Sequence, residues 1–351
     1  MTDVFALPPP DPAARVVLDA EPMRGSLARE RGRSDRTGEP FALLIFDSGP
    51  ADPPEGAIDT FAMNLGRRLR GTDEVGWVGH HRIGVLLPHT DGSRAAQVLH
   101  AILQDNPAAQ PPGVWQIYHY HPRASPPELR AYGECLATGD PPARPMEPLF
   151  VRPLPRWKRA ADILGSLVGL VLTAPFLFGA IALIKLVSPG PAVFRQERTG
   201  LGGVRFTLFK LRTMRLDAQA RQAELCPRNE VDGPAFKIAA DPRVIRFGRF
   251  LRTSSIDELP QFWNVLRGDM SLLGPRPLPC HESDDCLPWH RRRLDVTPGM
   301  SGLWQVSGRS RIPFDAWVRM DLEYARTRSP LRDLLLLVRT IPAVLFRRGA
   351  S

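Results

Sequence analysis

The stretch ILGSLVGLVLTAPFLFGAIALI, residues 163–184, decides how this chain is read. Its 22 residues are almost wholly apolar and carry no charge. As one helix they span roughly 33 Å, enough for the hydrocarbon core of a bilayer. Pro175 sits in the middle, where it removes a backbone donor and crowds the preceding turn. Both flanks are basic: Arg152, Arg156, Lys158 and Arg159 precede the run, and Lys185, Arg195 and Arg198 follow it. The positive-inside rule puts both flanks on the cytoplasmic side. A helix broken at Pro175 therefore enters the membrane and returns on the same face, each arm about 16–18 Å long. Thr173 is placed to help satisfy the backbone groups that the proline frees. A kinked helix that simply spans is the alternative.

Outward from this run, composition separates two halves. Residues 1–150 hold 14 Lys+Arg against 19 Asp+Glu, about −5, and residues 151–351 hold 32 against 18, or +14. A basic half with an apolar run points to anionic lipid, phosphate groups or nucleic acid. Hydrophobic residues form 43% of the 351, enough for real cores. The four cysteines, Cys135, Cys226, Cys280 and Cys286, fit neither a disulfide framework nor zinc spacing, which suits a reducing compartment. The opening MTDVFALPPPDP has no basic n-region or apolar h-region, so no signal peptide is expected there.

Residues 1–22 are proline-rich and expected to be loose. Residues 23–120 read as a small α/β domain. Strands are predicted at Phe41–Phe46, Arg82–Pro88 and Val114–Tyr120. Helices are predicted at 57–70, with Phe61, Leu65 and Leu69 on one face, and at 93–103. Prolines recur through 107–155, and 121–151 reads as a linker. Beyond the apolar run lies a basic soluble region, 187–330. The tail from Leu331 to Arg348 reads as an amphipathic helix at a membrane surface, or else as a buried helix closing the core.

The chemistry concentrates in RTSSIDELPQ, residues 252–261. Ser255-Ile-Asp-Glu258 has the form of a capping box, which by itself accounts for acids in a first helical turn. The functional reading is sharper. Asp257, kept ionised by a helix start and nearby arginines, can act as a carboxylate nucleophile, and the pair Asp257 and Glu258 can hold Mg²⁺ beside a diphosphate. Cations crowd around: Lys210, Arg243, Arg246, Arg249 and Arg252 before the pair, Arg276 and Arg309 after it. Arginines are more often solvated surface than ligands. Beside a membrane segment they suggest phosphate chemistry at a lipid boundary.

Residues from about Trp157 to Phe346 resemble the bacterial sugar transferases, the monotopic polyprenyl-phosphate phosphoglycosyl transferases. The matching motifs run in order through Lys158-Arg159…Asp162, SPGP (188–191), VFRQERTG (193–200), FKLRTM (209–214), DPRV (241–244) and FGRFLR (247–252). They continue through DELPQ (257–261), NVLRGDMSLLGPRP (264–277) and PGMSGLWQVSGR (298–309). The resemblance implies a mostly α-helical membrane domain, residues 152–351, with a re-entrant hairpin at 163–186 broken at Pro175. It places the domain on the cytoplasmic face of the bacterial inner membrane. It implies that Asp257 attacks the β-phosphate of a UDP-sugar, releasing UMP and leaving a phospho-sugar ester on the aspartate. Polyprenyl (undecaprenyl) phosphate then takes the phospho-sugar, with Glu258 assisting or binding Mg²⁺. Lys210, Arg252, Arg276 and Arg309 match positions that contact phosphate or nucleotide. The reaction is a first membrane step of exopolysaccharide or glycoconjugate synthesis.

Residues 23–120 are similar to a degenerate GGDEF domain, on FALLIFD (41–47), LRGTD (69–73) and GWVGHHRIGVLLP (76–88). Where an active cyclase has Gly-Gly-Asp-Glu-Phe, this chain has Gly79-His80-His81-Arg82-Ile83, though Asp47 remains. Cyclase activity is not expected; a regulatory role or a homodimer through this domain is. The same features also suit two other classes: a catalytically silent membrane scaffold that binds lipid phosphates, and a basic nucleic-acid binder. The intact carboxylate pair argues against the first, and the absence of any nucleic-acid motif against the second.

Overall fold

The computed structural model describes residues 16–47, 57–66, 69–104, 114–122, 144–238, 240–307 and 312–345. The chain divides into two compact units, one made mainly of residues up to Met146 and the other mainly of residues from Glu147 onward.

The first unit contains α1 (Ala20–Thr37), β1 (Phe41–Asp47), α2 (Ala57–Gly66), β2 (Glu74–Gly79), β3 (Arg82–Pro88), α3 (Gly92–Gln104), β4 (Val114–Tyr120) and β5 (Arg144–Pro145). The order β1-α2-β2-β3-α3-β4 is a split βαβ arrangement. The strands lie β2-β3-β1-β4-β5, with β1 antiparallel to both β3 and β4. β1 is the hydrophobic centre because helices cover both of its faces. Ala42, Leu44 and Phe46 pack with Phe61, Leu65 and Leu99 on one face. On the other, Met23 of α1 reaches Gly84 beside Leu43. Two elements go beyond the strands and helices read above. β2, EVGWVG, is glycine-rich and lacks alternation; α1 buries Met23 and Leu27 but also Ser26, Glu30, Arg31 and Ser34, so the apolar period of its inward face stops after its second turn. His80 and His81 form the turn between β2 and β3, and His81 has φ 56°. Arg82 donates to Asp47 at 2.7 Å, so the retained acid is neutralised by the residue that stands in the hairpin. Residues 1–15 and 123–143, most of the predicted loose terminus and linker, lie outside the described residues.

The second unit is mostly helical and is built around α4 (Arg156–Val187), a helix of 32 residues with Pro175 inside it. Its first half is tied down by polar contacts. Arg159 donates to the carbonyls of Val265 and Leu266 at 2.5 and 2.6 Å, and Asp162 accepts from Ser271 and from Leu272 N–H, both at 3.0 Å. Gly169 is required there, since a Cβ would lie 2.6 Å from the Phe262 ring. The second half contributes Ala180 and Ile184 to a cluster with Ala192, Leu211 and Leu251. Both halves thus pack on one body, while the rest is bare: the most apolar window is 11% buried, with Val171, Leu172, Phe176 and Phe178 exposed. The Thr173 hydroxyl donates to Gly169 O at 2.7 Å. The carbonyl that Pro175 leaves without a donor is Val171's, so the hydroxyl serves the turn before, a pattern that bends helices.

Around α4 stand the antiparallel hairpin β6 (Val193–Thr199) and β7 (Arg205–Leu211), the short helices α5 (Gly248–Thr253) and α6 (Gln261–Arg267), and a parallel pair, β8 (Ser271–Leu273) and β9 (Gly299–Ser301). Then come α7 (Cys280–Asp284), α8 (Leu303–Ser307), α9 (Phe314–Thr327) and α10 (Pro330–Leu345). One face of α10 is docked: Leu336 packs with Leu273 and Tyr324, and buried Asp333 accepts from Lys158 of α4 at 2.5 Å and from the Tyr324 hydroxyl at 2.9 Å. Its other face leaves Leu331, Leu334, Leu335 and Val338 exposed.

Candidate active site

Asp257 and Glu258 lie on a single 3-10 turn, Ile256–Glu258, between α5 and α6. Ile256 packs into the cluster formed by α4, β7 and α5, which seats both carboxylates beside the second half of the apolar helix. The capping box read from Ser255 and Glu258 is not formed. Ser255 has φ 56° and makes no side-chain cap bond, and the Glu258 carboxylate is taken by other partners. A three-residue turn also supplies little dipole, so side-chain charges govern the pair.

Lys210 projects from β7 and donates to Glu258 Oε1 at 3.0 Å. Arg276, from the loop after β8, donates to the same oxygen at 2.5 Å and to Oε2 at 3.4 Å. Arg252 of α5 is steadied by a bond from its Nε to Thr213 Oγ1 at 2.9 Å. β7 itself is held to α6 by fully buried Asn264, which accepts from Phe209 N–H at 3.0 Å and donates to Thr207 O at 2.7 Å. Gly248 allows α5 to approach closely, because a Cβ would sit 2.2 Å from Thr213 O. Arg276 is positioned through its own carbonyl, which accepts from Arg293, itself paired with buried Asp321 at 2.8 Å.

The two carboxylates differ. Burial pushes Glu258 up, but Arg276 and Lys210 outweigh it and hold the group well below the ordinary range. Burial likewise pushes Asp257 up; Lys210 opposes this, Glu258 adds to it, and Arg252 and Arg276 oppose it, leaving the carboxyl at about 6. Among the described residues no donor bonds Asp257. It is nearly buried, ionised at neutral pH and uncommitted, as a nucleophile should be. Lys210 and Arg252 are lowered by burial, countered chiefly by Glu258 and Asp257 respectively.

All five groups line one cavity of about 1150 Å³, large enough for a nucleotide-sugar with a second phosphate. Lys210, Arg252 and Arg276 line the cavity together with the two carboxylates. Arg309 lies outside the described residues. Arg243 lines the cavity but is committed elsewhere, to both oxygens of Asp241 and to Ala218 O. Charges at the cavity wall outside the predicted site include half-buried Arg198 and buried Glu282. Arg198 bonds Pro277 O at 2.8 Å and is pushed by burial down to about 10, with Arg276 adding to the shift. Glu282, on α7, is 8% exposed. Arg198 falls within VFRQERTG, where it also belongs to the basic flank of the apolar run; no spacing announces Glu282.

For magnesium the donor set is small: among the described residues no group of three acidic, histidine or cysteine side chains converges. Two adjacent carboxylates fit an ion that takes one or two protein oxygens and completes its shell with phosphate and water. Glu258 Oε2, whose contact to Arg276 is long at 3.4 Å, and the unbonded Asp257 carboxylate are the available ligands.

The family model for bacterial sugar transferase matches residues 154–347. The galactosyl transferase CpsE of Streptococcus agalactiae serotype III is 41% identical over 197 residues, covering 55% of this chain and 43% of that protein. The UDP-glucose:undecaprenyl-phosphate glucose-1-phosphate transferase of Caulobacter vibrioides is 42% identical over 214 residues, covering 55% of this chain and 73% of that protein. Among solved structures, the GGDEF domain of DgcB from Caulobacter crescentus covers 34% of this chain and 80% of its own at 14% identity, with a TM-score of 0.24.

Proposed function

The chain belongs to the bacterial sugar transferase family, and on that ground we propose that it transfers a phospho-sugar from a UDP-sugar to a polyprenyl phosphate through an ester on Asp257. The observation that carries this is the division of labour at the dyad: Glu258 is bonded by Lys210 and Arg276, while Asp257 stands ionised and unbonded in the same cavity. An Asp257 oxygen attacks the β-phosphorus of the donor. The bond from that phosphorus to the bridging oxygen breaks, and the electron pair leaves with UMP. A polyprenyl phosphate oxygen then attacks the same phosphorus, the bond to Asp257 breaks, and the carboxylate is restored.

Lys210, Arg252 and Arg276 ring the dyad and would neutralise the charge that builds on the transferred phosphoryl oxygens. Mg²⁺ held by Asp257 and Glu258 would supply further charge compensation on the diphosphate when bound. A covalent intermediate lets one cavity serve a water-soluble donor and a lipid acceptor in turn.

The acceptor explains the apolar helix. We read α4 as a hairpin that enters the cytoplasmic face of the bacterial inner membrane and returns, bent at Pro175. Basic flanks, exposed apolar residues midway and packing of both halves on one body support this. The first unit is read as a degenerate GGDEF domain without cyclase activity, on the hairpin Gly79–Ile83 and the Arg82–Asp47 pair. Incubation with a panel of UDP-sugars, polyprenyl phosphate and Mg²⁺ tests the main reading. UMP is expected from at least one donor, and intact-mass analysis should show a phospho-sugar adduct that Asp257→Asn lacks. Turnover by Asp257→Asn at the parent rate would overturn it.

A further inference from the structure

Two acidic groups on the cavity wall have no use in the transfer chemistry: Asp232, which accepts from Phe314 N–H at 2.9 Å, and Glu282. Glu282 is 8% exposed, and its side chain lines the cavity that holds the dyad. Its single hydrogen bond among the described residues is a long one, 3.4 Å from Phe236 N–H to Oε1. Arg198 is its principal charge neighbour, but the two form no ion pair, because Arg198 spends its donors on Gln196 and on Pro277 O. Arg276, which grips Glu258, lies within electrostatic reach of Glu282 too, so Glu282 and the dyad share an arginine neighbour.

A carboxyl removed from water and so thinly bonded is costly unless something else donates to it. Burial pushes it up to about 7 against the pull of Arg198, so at neutral pH it is poised to gain from any donor that favours the charged form. The cavity is where such a donor arrives. Resting on the transferase reading, we propose that Glu282 binds a vicinal diol of the nucleotide-sugar donor, accepting from two neighbouring hydroxyls. Two planar oxygens match such a pair, and the arginines alongside would meet the adjoining diphosphate. Two diols of the donor share this chemistry, that of the transferred sugar and that of the ribose.

The test is steady-state UMP release by the full chain, as parent, Glu282→Gln and Glu282→Asp, at varied UDP-sugar and saturating polyprenyl phosphate. Glu282→Gln should raise KM for the donor about 10–100-fold, the cost of one or two lost charge-assisted hydrogen bonds. It should leave kcat within a few-fold and still give the Asp257 adduct at high donor concentration. Glu282→Asp should recover part of the loss, which a purely structural residue would not predict. Inhibition by UMP separates the two diols: a Ki that weakens with KM assigns the ribose, and an unchanged Ki assigns the transferred sugar. Donor KM within two-fold of the parent in both variants, or a fall in kcat with KM unchanged, overturns the proposal while the transferase reading stands. A parent chain that releases UMP from no donor overturns both.

Discussion

At the scale of single residues, Asp257 is defined by two opposed influences. Burial pushes its carboxyl toward the neutral form, and Lys210 leads the cations that keep it charged. In the proposed reaction the ionised form attacks, and the carboxyl is held at about 6, so kcat/KM should hold above pH 7 and fall roughly ten-fold per pH unit once the medium drops well below 6. Lys210→Met removes the largest counter-charge and should move that limb upward by roughly one pH unit. A pH–rate profile of UMP release reads both. Asp257→Asn should lower turnover on the order of 10⁴-fold or more, as loss of a nucleophile does. The carboxylate pair is legible in DELPQ (257–261), but its environment is not. A Ser-x-x-Glu pattern promises a capping box, and nothing local says that Lys210 and Arg276, distant in sequence, claim the glutamate first.

At the scale of elements, α4 depends on a buried ion pair at its foot. Lys158 and Asp333 are 3% and 9% exposed at the side chain and meet at 2.5 Å, joining α4 to α10. Lys158→Met strands a buried carboxylate and should cost about 3–5 kcal/mol, visible as a lowered Tm; Lys158→Met with Asp333→Leu should restore most of it. The proposed re-entry at Pro175 has its own test. With Pro175→Ala the missing N–H returns, and a straight helix of this length spans the bilayer. Cysteines placed at Ala160 and Val187 should both label from the cytoplasmic side in the parent hairpin; in the alanine variant one should become reachable only from the other side. The apolar run and its basic flanks showed in the sequence because hydropathy is a local property. Thr173's choice of Gly169 O was not visible, since it depends on the geometry of the preceding turn.

At the scale of the whole molecule, each unit has its own core, and the second contains the dyad, the cations and α4. Residues 147–351, purified in detergent, should therefore release UMP from the same donor as the full chain, and residues 16–146 should convert no GTP to a cyclic dinucleotide. A fragment that is well folded by circular dichroism yet silent toward every donor used by the parent would place part of the site in the first unit.

The chain's letters alone located the apolar run, its basic flanks and the adjacent pair Asp257 and Glu258, because hydropathy, charge and motif spacing are properties of neighbours in sequence. They also announced β1 and β3, whose apolar runs are nearly continuous, and β4, VWQIYHY, through its aromatic and β-branched residues. Only the tertiary structure decided that β2 and α1 complete the first unit, that Glu258 is held while Asp257 is left unbonded, and that Arg198 and Glu282 reach the same cavity. Those outcomes depend on burial and on charges brought together from remote positions, and the energy of a buried charge is set by what surrounds it in space.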